Sequence, residues 1–257
     1  MATPNPKAAL ITGAGSGIGA AAARLFHDRG WYVGLYDLNA DSVATLAGEL
    51  GDRCCHGFMD VTDSESVAAA IGQFSEHRDG RLDVLINNAG LFQDKLFVQA
   101  DKVFLREMMH VNMDGVINCA RAAYPLLKAT PNAHMVNIGS SSSIYGVPFC
   151  AVYSATKFFV RGFTEAMRLE WEQDDITVNV VMPSYVSTPM TADVQLSHIN
   201  GASMLSVEQI ALAVWKAATT RGMYWIMPRS NRLIYTVMRK MPLQWVPRFA
   251  KTLFKAG

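Results

Sequence analysis

Cysteine is scarce and poorly placed for stapling the chain or holding metal. The four cysteines, Cys54, Cys55, Cys119 and Cys150, include no CxxC pair. Free thiols in a reducing compartment are expected, and neither a disulfide framework nor a metal site is. An excess of one charge is also missing. The 23 Lys+Arg and 22 Asp+Glu leave a formal net charge of +1, so nothing points to a nucleic-acid partner. Long apolar runs are absent. The longest uncharged stretch, between Lys128 and Lys157, holds Pro131, Asn132, His134, Asn137, Ser140 to Ser143 and Pro148. No apolar helix of about 18 residues can be cut from it, which argues against a membrane span. The first residues, Met-Ala-Thr-Pro-Asn-Pro, lack a basic segment followed by an apolar one. No secretory signal is expected, and the cytoplasm is the expected location.

No repeat, low-complexity tract or linker interrupts the chain. A length of 257 residues with 50% hydrophobic and 18% charged side chains suits one large α/β domain. Short apolar segments alternate with helical patterns. Strands are expected at Ala8–Thr12, Trp31–Tyr36, Cys54–Met59, Val84–Ile86, Met135–Ile138, Ile176–Val181 and Tyr224–Met227. Helices are expected at Ala20–Arg29, Asp41–Leu50, Asp63–His77, Asp101–Ala129 with a break near Asn112, Tyr153–Glu172 and Val207–Thr219. Such alternation predicts a single-domain Rossmann fold: a doubly wound, seven-stranded parallel sheet with helices on both faces. Residues 1–228 would form the dinucleotide-binding and catalytic domain, and 229–257 a basic amphipathic extension packed on or near it.

The first strand runs into Thr12-Gly13-Ala14-Gly15-Ser16-Gly17-Ile18-Gly19 and then a helix. Glycines in that context allow a tight turn, close approach of the backbone to a pyrophosphate and close helix–sheet packing. The helix N-terminus supplies N–H groups and partial positive charge to the phosphates. Asp37 closes the second strand, 18 residues after Gly19. A carboxylate there accepts hydrogen bonds from the adenosine ribose hydroxyls and repels a 2′-phosphate, so the expected cofactor is NAD rather than NADP.

Tyr153 and Lys157 lie four residues apart, and on a helix they would share a face. Alone, that pair says little. Together with further motifs in order, the chain resembles the short-chain dehydrogenase/reductase family over about residues 7 to 228. The motifs are the glycine turn from Thr12 to Gly19, Asp60-Val61, Asn87-Asn88-Ala89-Gly90, Asn112, Ser140 thirteen residues before Tyr153, the Tyr153/Lys157 pair, and Pro183 to Thr188 with Val186 between them. The resemblance implies an oxidoreductase that interconverts a secondary alcohol and a ketone, with Tyr153 as general acid/base. It implies that Lys157 lowers the Tyr153 pKa and holds the nicotinamide ribose, that Ser140 steadies the substrate oxygen, and that Asn112 holds a relay water. It further implies cofactor contacts from Gly13, Ser16, Gly17, Ile18, Gly19, Asp37, Asp60, Val61, Asn88, Ala89, Gly90, Pro183, Val186 and Thr188, and pairing of copies into a homodimer or homotetramer. Gly139 and Ser184 depart from the residues usual at their positions.

Expected substrate contacts are Ser140, Ser142, Tyr153 and Tyr185. Pocket walls are expected from Leu91 to Phe97, Ser141 to Phe149, Ser184 to Met190 and Thr191 to Leu205. Their side chains, among them Phe92, Tyr145, Val147, Phe149, Met190, Leu196, Ile199, Met204 and Leu205, are largely apolar. Asp94, Lys95 and Asp193 are the chief charges, so an apolar alcohol or ketone is the expected substrate.

The last 29 residues carry Arg229, Arg232, Arg239, Lys240, Arg248, Lys251 and Lys255 and no acidic residue, which leaves 16 basic against 22 acidic, or −6, for the remainder. One apolar face, Leu233, Ile234, Val237, Met238 and Met241, and a second, Val246, Phe249, Ala250, Leu253 and Phe254, are expected to pack on the domain, a partner subunit or the pocket mouth. Peripheral membrane contact is the second reading of the tail. The alternative function is a dinucleotide-binding regulatory or membrane-peripheral protein that keeps the fold.

Overall fold

The computed structural model describes residues 6–192 and 204–253. Asp193, Leu196, Ile199, Phe254 and Lys255 lie outside the described residues. Seven parallel strands form one sheet in the order β3-β2-β1-β4-β5-β6-β7. They are β1 (Ala8–Thr12), β2 (Tyr32–Asp37), β3 (Cys54–Phe58), β4 (Val84–Asn87), β5 (Ala133–Ile138), β6 (Ile176–Pro183) and β7 (Tyr224–Met227). The order reverses between β1 and β4, and in such sheets the crevice outside the strands' carboxyl ends at that reversal is where ligands bind.

Period-two alternation sends neighbouring side chains of one strand into different cores. Ala9 and Ile11 of β1 face α1 (Gly17–Asp28), α2 (Ala40–Leu50) and α7 (Val207–Thr219), and Ala8 and Leu10 face α3 (Ser64–Arg78) and α5 (Gly115–Ala129). Both faces are therefore dry, which is why the strands read as continuous apolar runs. Phe26, Trp31 and Trp215 close the first core edge-to-face, at centroid separations of 5.1, 4.9 and 5.4 Å. All four cysteines are free thiols.

Two differences from the sequence expectation have local causes. Helix α1 begins at Gly17 rather than Ala20. Glycine's poor helix propensity hides that first turn, which tolerates it because its N–H groups lack helical partners in any case. The expected break near Asn112 is a wide turn of π-helix, His110–Asp114, joining α4 (Lys102–Met109) to α5 without loss of helical direction.

The third core cluster involves the tail. Tyr235 and Met238 of α8 (Arg229–Lys240) are buried with Val160, Val180, Met182 and Ile226, and Val246, Phe249 and Ala250 of α9 (Val246–Thr252) pack against them. The expected α8 face is divided: Ile234 and Met238 turn inward with Tyr235, whereas Leu233 and Val237 are exposed. Tyr235 supplies the anchor because Arg161 and Arg239 lie over its ring, at 5.3 and 5.6 Å from its centroid.

Candidate active site

The loops after β1, β4, β5 and β6 meet at the carboxyl edge of the sheet around a cleft of about 360 Å³. Of the expected site residues, Gly13, Ser16, Gly17, Ile18, Asp37, Asp60, Val61, Asn88, Ala89, Gly90, Ser140, Ser142, Tyr153, Lys157, Pro183, Tyr185, Val186 and Thr188 line it. Gly19 and Asn112 stand one layer behind.

Sterics fix the glycine turn. Gly13 has φ +65°, and a Cβ there would lie 2.8 Å from the Ala89 Cα. A Cβ on Gly19 would lie 2.1 Å from the Gly13 carbonyl oxygen. Neither position admits another residue without moving backbone. The turn is clipped to the Asn-Asn-Ala-Gly loop. Asn88 Nδ2 donates to the carbonyls of Thr12 and Gly13, both at 2.9 Å, and Thr12 Oγ1 accepts from the N–H groups of Asn88 and Ala89 at 3.0 and 3.1 Å. Asn88 thus satisfies buried backbone, as its position suggests.

Ser16 precedes α1 with extended backbone and gives no side-chain cap, and the first turn has no acidic residue. The helix's first internal donor is Ala20, to Ser16 at 3.2 Å, so the N–H groups of Gly17, Ile18 and Gly19 stand before it. Such a terminus suits an anion. Asp37 sits beside it, with Oδ2 accepting from Gly15 N and Oδ1 from Asn39 N, each at 2.9 Å. These two bonds fix the carboxylate at the cleft wall. A glycine cradle, an uncapped helix start and a fixed carboxylate fit the pyrophosphate and ribose of a dinucleotide. Asp60 Oδ1 accepts from Thr62 N at 2.9 Å and Thr62 Oγ1 at 2.7 Å, which stiffens the strand exit beside Val61.

On the opposite wall, α6 (Ala151–Glu170) presents Tyr153 and Lys157 one turn apart. The Phe92 ring meets Tyr153 edge-on at 4.8 Å. Ser140 caps the following turn by accepting from Ser142 N at 3.1 Å, and its hydroxyl donates to Ser142 Oγ at 3.2 Å. Burial pushes the Tyr153 pKa up to about 12, while a side-chain hydrogen bond with Ser140 pulls it down. Burial also pushes Lys157 down to about 8. Burial sets the direction of the Tyr153 shift, and Lys157 is not among the groups that move it here. The ammonium points elsewhere, donating to the Ile138 carbonyl at 2.9 Å, and lies 5.6 Å from the tyrosine ring centroid.

Asn112, 1% exposed, clamps the chain after Gly90. Its Oδ1 accepts from Leu91 N at 2.7 Å, and its Nδ2 donates to Leu91 O at 2.9 Å and to Thr156 Oγ1 at 3.1 Å. Thr156 in turn donates to the Tyr153 carbonyl at 2.8 Å. Sequence reading missed Thr156; between Tyr153 and Lys157 it looks like filler, and only the wide turn around Asn112 brings the two together. Leu38, Met59, Glu107, Val111 and Ile138 were also missed as lining residues. Leu38 and Met59 follow strand ends and were open to the rule that ligands sit at carboxyl edges.

Part of the expected substrate wall holds and part does not. Leu91, Phe92, Tyr185 and Met190 line the cleft, as do Ser141 and Ser184. Leu205 is instead core: it pairs with Val186 across a bridge and is buried. Tyr145 packs on the third core cluster, and Phe149 borders a small separate hollow. These positions fail because pocket and core apolar residues look alike in sequence. Gly139 has a steric reason, since a Cβ there would lie 2.8 Å from Val180 Cγ2. Ser184 keeps its backbone tied to β7, donating to Met227 O at 2.9 Å.

With fold and cleft in place, comparisons with known proteins agree. Residues 7–198 match the short chain dehydrogenase family. The 3-oxoacyl-[acyl-carrier-protein] reductase FabG of Thermotoga maritima is 35% identical over 188 residues, covering 72% of this chain and 76% of that protein. The cis-4-hydroxycyclohexanecarboxylate dehydrogenase of Sinomonas cyclohexanicum is 35% identical over 189 residues, covering 72% and 76%. Among solved structures, the 3-ketoacyl-(acyl-carrier-protein) reductase of Brucella melitensis complexed with NADH superposes with TM-score 0.79 at 26% identity, over 86% of this chain and 96% of that one. The alcohol dehydrogenase of Thermococcus sibiricus complexed with 5-hydroxy-NADP gives 0.76 at 27% identity, over 86% and 95%. The chain belongs to the short chain dehydrogenase family, and is an oxidoreductase of that family. No helix among the described residues is long and apolar enough to cross a membrane.

Proposed function

We propose that the chain is an NAD(H)-dependent oxidoreductase interconverting a secondary alcohol and a ketone on an apolar substrate, with Tyr153 as the proton-transfer residue. The observation that carries this reading is that Ser140, Tyr153 and Lys157 share one cleft with the glycine turn and Asp37. The nicotinamide, when bound, supplies or takes up the hydride. The protein handles orientation and the proton. Gly13, Ser16, Gly17, Ile18 and Gly19 would hold the pyrophosphate, Asp37 the adenosine ribose, and Asp60 and Val61 the adenine side. Asn88, Ala89, Gly90, Pro183, Val186 and Thr188 would border the nicotinamide half, with Lys157 on its ribose.

Ser140 would hydrogen-bond the substrate oxygen and stabilise charge developing there. Tyr153 Oη would give that oxygen a proton in reduction and take it in oxidation. Its raised pKa keeps it protonated at neutral pH, which favours the donor role. Asn112 would hold the Leu91 segment against α6 and, with its carbonyl, a relay water. Ser142 and Tyr185 would touch the substrate, with Phe92, Leu91 and Met190 supplying apolar surface. Support for NAD comes from the fixed Asp37 carboxylate and from Leu38, which puts no cation beside it. Pairing of copies through α5 and α6, as dimer or tetramer, belongs to the same proposal; Phe158 and Leu169 of α6 are exposed.

The test is cofactor-linked turnover of a panel of cyclic and long-chain secondary alcohols and the matching ketones, with NAD(H) and NADP(H) in parallel. NAD(H)-linked turnover of the apolar members is expected. Preference for small charged hydroxy acids would overturn the substrate reading, and preference for NADP(H) the cofactor reading.

A further inference from the structure

The inner faces of α8 and α9 are accounted for by the third core cluster. Their outer side is not. Arg239 is turned to the Tyr235 ring, whereas Arg229, Arg232, Lys240, Arg248 and Lys251 are exposed on the outer side, and no acidic residue occurs from 229 to 257. None of these five forms an ion pair with a described carboxylate.

Along α8, two stripes at i, i+4 spacing run side by side on the outer face: Arg229, Leu233, Val237 and Arg232, Thr236, Lys240. Leu233 is 68% exposed and Val237 39%, and Trp245 just beyond is 56% exposed. Charge therefore alternates with large apolar side chains on one surface that the domain does not cover.

We propose that this outer face docks on an anionic membrane surface, the core-packed inner faces of α8 and α9 holding it in shape. Basic residues are drawn to anionic headgroups, and a few apolar side chains with a Trp insert at the headgroup boundary. The rest of the chain carries −6, so attraction is local to this face and orients the molecule. A second copy seated face to face would bring two like-charged surfaces together, which disfavours self-pairing here. Nucleic acid would use the cations but would leave Leu233 and Val237 against phosphate.

The test is co-sedimentation of the full chain with phosphatidylcholine vesicles, with and without phosphatidylserine, at low and high salt. Binding only to serine-lipid vesicles, lost at high salt, is expected. R232E/K240E should weaken it by at least about tenfold, and L233S/V237S should weaken it while leaving the salt dependence. Both variants must keep the wild-type circular dichroism and dinucleotide binding, so that misfolding is separated from lost docking. Equal sedimentation with neutral and anionic vesicles, unchanged binding by the charge-reversed variant, binding to duplex DNA but not to vesicles, or a change in oligomeric state as the only effect would each overturn the proposal.

Discussion

Asp37 Oδ2 accepts the Gly15 N–H at 2.9 Å, so the residue that closes β2 also holds the glycine turn that follows β1. One carboxylate is thereby part of the turn's scaffold and part of the cleft wall. A Cβ at Gly15 would sit 3.0 Å from that same oxygen and 2.0 Å from Ser42 Oγ, which explains why this turn position is glycine.

Replacing Asp37 by Ala removes the ribose acceptor and the anion that opposes a 2′-phosphate. The expected outcome is a fall of about tenfold or more in kcat/KM with NAD, the worth of a charged hydrogen bond at ~1.5–3 kcal/mol, and a relative gain with NADP. Steady-state kinetics with both cofactors check it. Unchanged NAD kinetics would leave Asp37 a scaffold residue only.

The pH profiles of the two reaction directions should differ. Oxidation needs the phenolate of Tyr153, whose pKa lies at about 12, so its rate should climb steadily between about pH 6 and 8, until Lys157 loses its proton. Reduction needs the phenol, present throughout that range, and should stay level until Lys157 loses its proton near pH 8. A level oxidation profile would show that Tyr153 is not the base.

Lys157 is held in the cleft wall against its own solvation. Its folded pKa of about 8 lies below the ordinary lysine value of 10.5, so above pH 10.5 the penalty has gone, and below pH 8 it is fully present. Lys157→Met should abolish turnover yet raise stability at neutral pH by up to ~3 kcal/mol, less the loss of the bond to Ile138. Denaturant melts at pH 7 decide the matter; a destabilised variant would mean that the hydrogen bond outweighs the buried charge.

His134 sets an acid limit. Burial above all, helped by Lys7, Arg168 and Arg221, holds it down at about 4 from 6.5, against a backbone hydrogen bond with Ala217. The unfolded chain binds the proton more readily, so stability present above pH 6.5 is lost as pH falls toward 4, by about 3 kcal/mol. His134→Asn should flatten that fall. An identical pH dependence in the variant would place the acid sensitivity elsewhere.

Much of this was legible in the chain because it rests on backbone rules. Glycines at fixed spacing, apolar strands and a terminal Asp define the turn, the sheet and the cofactor wall. Tyr153, Lys157 and Ser140 followed from spacing and resemblance. What escaped depends on three-dimensional neighbours. Thr156 matters only because a π-turn swings Asn112 against it. Leu205 reads as pocket but is core, and the outward turn of Leu233 and Val237 required knowing that Tyr235 anchors α8. The direction of the Tyr153 shift was missed because sequence shows the nearby lysine and not how deeply the phenol is buried.

The most direct measurement compares Tyr153→Phe with the wild-type chain for dinucleotide binding and for NAD(H)-linked turnover of the same alcohol and ketone. Binding should stay within about twofold of wild type while turnover falls by at least ~10²-fold in both directions, the size of a lost general acid/base. Turnover that survives the loss of the phenolic hydroxyl would contradict it.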